Sequence, residues 1–154
     1  RSIGGELSAR WHTPVEGLSL SASYGYTNAR FRSYRSGGED FRGKRIPYAP
    51  QNTFFASDDY RIGMNGNVLN DVIFNVSCRG VGSIMWDDQN TVKQPFYALL
   101  GASVTFEARE YSLSLWGENL TGTQYDTFYF VSIENSFVQR GKPCRLGATL
   151  RLKF

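Results

Sequence analysis

In seven stretches of this chain, residues two apart share a chemical character that their immediate neighbours lack, and that period belongs to the extended strand. The terminal stretch is the cleanest: Leu146, Ala148, Leu150, Leu152 and Phe154 fall on one side, with Arg145, Gly147, Thr149, Arg151 and Lys153 on the other. Ile3 to Thr13 sets Ile3, Gly5, Leu7, Ala9 and Trp11 against Glu6, Ser8, Arg10 and His12. A second strand, from Leu18 to about Tyr34, sets Leu18, Leu20, Ala22, Tyr24 and Tyr26 against Ser19, Ser21, Ser23, Gly25 and Thr27. Gln51 to Ile62 groups Phe54, Ala56, Tyr60 and Ile62, although Asp58 interrupts that side. Leu69 to about Ile84 groups Val72, Phe74, Val76 and Cys78, and Phe96 to Phe106 groups its six even-numbered residues. Tyr111, Leu113 and Leu115 lead the remaining strand, opposite Ser112, Ser114 and Glu118.

The connections alternate. Short turns at 14–17, 63–67 and 108–110 interleave with long polar segments at 35–50, 85–95 and 119–142. Consecutive hairpins that emerge on opposite rims define an antiparallel up-and-down meander, so the fold class is all-β. With one side greasy and the other charged, the expected setting is a transmembrane β-barrel wall with lipid outside and a wet lumen inside. Ten residues from Phe96 to Phe106 span about 33 Å, foreshortened to about 25 Å by a tilt of about 40°, the height of an apolar band. Trp11, Tyr60, Phe106, Tyr111 and Phe154 lie beside short turns or the terminus and form one expected aromatic girdle; Tyr24, Tyr26, Trp86 and Phe96 form the other. Aromatics make up 15% of the 154 residues and charged residues 20%, which suits alternating strands better than apolar helices. No apolar run approaches the ~20 residues of a membrane helix. The competing class is a soluble sandwich or self-closing barrel that uses the same aromatics as its core and acts as a binding module without a transport role.

Three motifs then carry a resemblance. Leu18-Ser-Leu-Ser-Ala-Ser-Tyr-Gly-Tyr-Thr-Asn-Ala-Arg-Phe31, Gly43-Lys-Arg-Ile-Pro-Tyr-Ala-Pro-Gln-Asn-Thr53 and Tyr111-Ser-Leu-Ser-Leu-Trp-Gly-Glu-Asn-Leu-Thr121 with Tyr125 resemble, in order, the C-terminal third of TonB-dependent outer-membrane receptors, especially those of Bacteroides-like bacteria. Gly122 departs from the family's Asp. The terminal alternation closing on Phe154 is similar to the signal that bacterial barrels present to their assembly machinery, which assigns Leu146, Leu150, Leu152 and Phe154 that role. The resemblance implies that residues 1–154 are the C-terminal seven-strand segment of a plugged twenty-two-strand barrel in the Gram-negative outer membrane. That barrel takes up a scarce nutrient, a ferric siderophore before cobalamin or oligosaccharides. The plug, the TonB-contacting segment and any signal peptide are expected upstream.

Arg35, Arg42, Lys44 and Arg45 in the first long connection, Trp86, Asp87 and Asp88 in the second, and Arg140 and Lys142 in the third are the candidate ligand-binding residues, because a rim of one charge sign concentrates the opposite solute. Glu39 and Asp40 dilute the first cluster. His12, the single histidine, lacks a flanking nucleophile motif, so no catalytic residue is expected. Asp87-Asp88-Gln89-Asn90 lacks the spacing and turn glycine of a calcium loop, and no cofactor or metal is expected. Asn75-Val-Ser77 and Asn119-Leu-Thr121 match glycosylation sequons but fall in or at the end of strands. Cys78 and Cys144 would be separated by two strands, roughly 14 Å against the ~7 Å of a bridge, and are read as free. The net charge of +3 is dispersed, and nucleic acid is not an expected partner.

Overall fold

The computed structural model describes residues 1–154 except Asn65, Asn67, Glu134 and Phe154. Its strands are β1 (Ser2–His12), β2 (Leu18–Ala29), β3 (Arg35–Ser36), β4 (Glu39–Asp40), β5 (Asn52–Gly63), β6 (Asp71–Val81), β7 (Ile84–Met85), β8 (Lys93–Gln94), β9 (Tyr97–Glu107), β10 (Tyr111–Glu118), β11 (Asp126–Ser132), β12 (Asn135–Arg140) and β13 (Arg145–Leu152). Seven form one antiparallel sheet in the order β1-β2-β5-β6-β9-β10-β13. The other six make three small hairpins, one in each long connection.

Antiparallel partners share a face, so the register tests sidedness directly. Ile62, Val72, Phe106, Leu113 and Leu150 make one cross-strand row, and Tyr60, Phe74, Val104, Leu115 and Ala148 make the next. On the opposite face, Ser57, Ser77 and Gly101 align, as do Ser114 with Thr149 and Ser112 with Arg151. The expected outward and inward sets of all seven strands agree with this register. Arg61 reaches Asp71 at 2.9 Å and Glu107 at 3.6 Å, tying β5, β6 and β9 together at the short-turn rim of the polar face.

Asp58 lies at the middle of β5 on the apolar face. Its Oδ1 accepts the Val76 backbone N–H at 2.8 Å, while the Asn75 amide donates to the Asp58 carbonyl at 2.7 Å and to Asp59 Oδ1 at 2.9 Å. Two side chains thus stand in for a ladder rung, and the carboxylate satisfies an amide that hydrocarbon could not.

The sandwich and self-closing alternatives do not survive. Among the described residues no second sheet covers either face, and β1 and β13 remain separate edges of an open seven-stranded sheet. The surface area is 10775 Å², against about 7,800 Å² for a compact monomer of this mass. Leu7, Trp11, Leu146, Leu150 and Leu152 are among the large apolar side chains left exposed, and among the described residues no large side chain is fully buried.

The sheet is staggered. One row runs through Trp11, Leu20, Asp58, Val76, Ala102, Gly117 and Leu146, from next to the last residue of β1 to next to the first of β13. Across six strand spacings, about 29 Å, the strand ends shift by about five residues at one rim and about eight at the other, a tilt of roughly 30–43°.

Two boundaries differ from expectation. β2 ends at Ala29 rather than near Tyr34, because Phe31, Tyr34 and Phe41 stack at 4.8 and 5.4 Å and fold the connection back on itself. β6 ends at Val81 rather than near Ile84: a Cβ at Gly82 would lie 2.8 Å from the Asn52 carbonyl, and beyond that close approach the chain turns into the β7–β8 hairpin. Cys78 and Cys144 are free thiols.

Candidate functional site

The three long connections converge at one rim and bind one another. Between the first and second, Arg45 N donates to Asn90 Oδ1 at 2.7 Å and Asn90 Nδ2 returns a bond to the Arg45 carbonyl at 2.9 Å. The Arg45 guanidinium donates to the Ser83 hydroxyl at 3.2 Å and the Ser83 carbonyl at 2.7 Å, and Gln89 Nε2 reaches Glu39 Oε2 at 2.9 Å. Asn90 takes a positive φ of 60°, one that Asn tolerates better than most residues. Between the second and third, Gln94 Oε1 accepts the Asp126 N–H at 3.0 Å, and Tyr97 stacks on Tyr125 at 4.5 Å. The Tyr48 hydroxyl donates to the Tyr129 carbonyl, joining the first connection to the third.

Beneath these ties lies a small core of Val81, Ile84 and Trp86, packed against Val92, Tyr97 and Tyr129. Above it runs a line of rings: Trp86 to Tyr48 at 5.2 Å, Tyr48 to Phe128 at 5.7 Å, Phe128 to Phe130 at 5.8 Å and Phe130 to Phe137 at 4.9 Å. Phe128, Phe130 and Phe137 keep 44–46% exposure, so their rings are available to a visitor. The last connection is stapled at its root by Asn119, whose buried amide donates to the carbonyls of Thr123 and Lys142 at 2.9 and 3.0 Å and accepts the Thr123 N–H at 2.9 Å. Gly122 holds φ +64°, a left-handed conformation that costs glycine little.

The charged candidates fall into distinct settings. Arg35 and Arg42 share Asp40 at 3.4 and 3.5 Å. The Arg42 backbone N–H, helped by both guanidinium charges and opposed by slight burial, holds the Asp40 carboxyl below its ordinary 3.8. Lys44 sits over the Phe41 ring at 5.4 Å. Arg45 spends its guanidinium on Ser83. Arg140 pairs with Asp126 at 3.3 Å, and Lys142 is exposed. Asp87 closes its own turn, accepting the N–H groups of Thr91 and Val92, each at 2.9 Å, and the Thr91 hydroxyl. Burial alone would raise its carboxyl, but the Thr91 hydroxyl and those amides outweigh it and hold it below 3.8. Asp88 is half-buried beside it.

Trp86 requires a correction. Expected in the second lipid girdle, it is 6% exposed and belongs to the core under the loops, because β7 and β8 turn it inward. Trp11 and Tyr111 are exposed on the apolar face, and Tyr60 and Phe106 are half-buried there. Leu146, Leu150 and Leu152 project from β13, while Phe154 lies outside the described residues. Among the described residues no cluster of three or more metal-ligating side chains occurs. The ring line and the Asn119 and Gln94 staples were not anticipated. The run Thr127-Phe-Tyr-Phe-Val-Ser, followed by Ser136-Phe-Val, carries the strand signal that marks the hairpin.

Residues 1–120 match the family described as TonB dependent receptor-like, beta-barrel. Among solved structures, the ferric yersiniabactin uptake receptor FyuA from Yersinia pestis superposes with a TM-score of 0.85 at 21% identity, over 99% of this chain and 23% of its own. The ferric citrate transporter FecA gives 0.78 at 24% identity, over 97% and 24%. The siderophore receptor PiuA from Acinetobacter baumannii gives 0.71 at 15% identity, over 97% and 21%. This chain therefore spans about a quarter or less of the length of these receptors. With a family match over most of its residues and a staggered wall that is apolar on one side only, the chain belongs to the TonB-dependent receptor β-barrel family of the Gram-negative outer membrane.

Proposed function

We propose that this chain is the C-terminal barrel wall of a receptor that imports scarce iron as an anionic ferric chelate of the siderophore type, and that its three tied loops form part of the capture surface. The observation that carries the reading is the half-open line of Phe128, Phe130 and Phe137, flanked by Arg140 and Lys142 on the same connection. Aromatic faces suit planar or ring-bearing chelators, and cations suit their negative charge. The printed descriptions of FyuA, FecA and PiuA, each concerned with iron chelates or siderophores, support the same class. Energy enters through TonB at an N-terminal portion, and the C-terminal strand with Leu146, Leu150, Leu152 and Phe154 engages the barrel-assembly machinery. Cobalamin or an oligosaccharide is the second choice of cargo. A Bacteroides-like origin rests on the three motif strings alone.

The test replaces Phe128, Phe130 and Phe137 by Ser in the full-length receptor and measures cell-surface binding and uptake of radiolabelled iron with a panel of chelators. Binding of at least one ferric chelate is expected to fall by roughly tenfold or more, since three exposed aromatic faces disappear. Unchanged iron uptake, with loss of cobalamin- or glycan-dependent growth on deletion of the gene, overturns the iron assignment.

A further inference from the structure

Beyond the end of β2, the pairing with β1 continues by one residue. Arg30 N donates to the Arg1 carbonyl at 2.9 Å, and Arg1 N donates to the Arg30 carbonyl at 2.8 Å. Arg1 and Arg30 therefore stand side by side on the apolar face, Arg1 in line with Ile3 and Arg30 in line with Tyr24, Tyr26 and Asn28. The bond from Arg30 Nε to Asn28 Oδ1 at 3.0 Å keeps the guanidinium along that face, and Arg30 Nη1 also meets the Gly43 carbonyl at 2.7 Å. The returning loop adds Phe31, Arg32, Arg42 and Gly43, which close a depression of about 430 Å³.

Four arginines thus line one hollow. Asp40 is the one carboxylate in ion-pair range of any of them among the described residues; it reaches Arg42 at 3.5 Å and is shared with Arg35. Arg1, Arg30 and Arg32 have no acidic partner among the described residues, an arrangement that favours an external anion. Height narrows the choice of anion. Arg30 is four residues beyond Tyr26, about 13 Å along a tilted strand and so about 10 Å above the aromatic belt, at the level of lipid headgroups. Arg1 and Arg30 share the apolar face of the sheet, so this pair is poorly placed to meet a solute entering the lumen.

We propose that this pocket holds the phosphate groups of an outer-leaflet lipid headgroup. Guanidinium forks match phosphate oxygens two at a time, and several forks around one hollow suit a headgroup carrying more than one phosphate. The Phe31 ring gives the pocket an apolar wall against which the non-phosphate part of the headgroup can rest.

The full-length receptor, extracted from outer membranes in mild detergent, is assayed for co-purifying phosphorylated lipid by mass spectrometry. Combined Arg30→Ser, Arg32→Ser and Arg42→Ser substitutions are expected to cut the retained lipid by about tenfold, whereas Arg140→Ser with Lys142→Ser leaves it unchanged. Heat-modifiable gel migration confirms that the variants are folded, and the triple Arg→Lys variant is expected to retain an intermediate amount. In thermal unfolding, phosphatidylethanolamine vesicles doped with a bisphosphorylated glycolipid are expected to stabilise the wild type more than the triple Ser variant. Vesicles doped with the dephosphorylated glycolipid are expected to stabilise the two proteins equally. Equal lipid retention by wild type and triple Ser variant overturns the proposal. So does stabilisation of the wild type by the dephosphorylated lipid as large as that by the bisphosphorylated one, and stabilisation by inorganic phosphate alone overturns it in favour of a small-anion site.

Discussion

Ala102 and Ser103 are neighbours in the middle of β9 that face opposite solvents, so one pair of substitutions tests the sidedness of the whole wall. Ala102 is five residues from either end of its strand, about 17 Å along it and about 13 Å in height at a tilt near 40°, which places it at the bilayer midplane. Its lateral neighbours are Val76 and Gly117, so a larger side chain meets little steric resistance. Ser103 lies between Asn75 and Trp116 on the polar face. An arginine at a lipid-facing midplane position costs about 2–4 kcal/mol, a loss of roughly thirty- to several-hundred-fold in the folding equilibrium, whereas one on the lumen side is hydrated and costs little. Ala102→Arg is therefore expected to destabilise the full-length receptor in phospholipid vesicles by about 2–4 kcal/mol in a denaturant titration, and Ser103→Arg by less than about 1 kcal/mol. A third variant, Tyr111→Arg, sits near the short-turn rim and is expected to cost less than Ala102→Arg, because the penalty falls toward the interface. Equal costs at positions 102 and 103, or a larger cost at 103, would refute the assignment of lipid and lumen faces.

Three further outcomes follow from local geometry. Asn119→Ala removes three hydrogen bonds at the root of the last connection and leaves buried groups unpartnered, so segment 119–144 is expected to lose about 1–3 kcal/mol of local stability and to be cleaved faster by protease in intact cells. The Asp87 carboxyl is held below 3.8, so its contribution to the second connection is fully present above that value and is lost as the pH falls through the lower folded-state value; the protection of the Thr91 and Val92 amides against hydrogen exchange, relative to an unstructured peptide at the same pH, is expected to be high at neutral pH and to fall in acid. Gly17 holds φ +78° and a Cβ there would lie 2.0 Å from the Arg61 carbonyl, so Gly17→Ala is expected to lower the yield of assembled barrel, read as the heat-modifiable fraction on a gel.

The wall was legible because its two environments write a period of two into every strand. Once Leu113 and Ser112, or Leu150 and Arg151, are seen to alternate, each residue's solvent follows without any knowledge of its neighbours. Even Asp58, which breaks the pattern, is on the side the pattern assigns, and the structure adds how it is accommodated: its carboxylate takes an amide of the adjacent strand. The long connections were less legible, since their ties join residues far apart in the chain. Arg45 looks like a free cation until Ser83 and Asn90 are brought to it, and Trp86 looks like a girdle residue until β7 and β8 turn it into the core.

Strand faces, turn positions and the family are thus written locally, because alternation, glycine conformation and short motifs concern residues that are close in the chain. The tilt of the wall, the meeting of three loops in one ring-lined cap and the gathering of Arg1, Arg30, Arg32 and Arg42 around one hollow depend on register between strands and on the path of the returning loops. Those are properties of long-range pairing, and the chain acquires them only when distant backbone groups find one another.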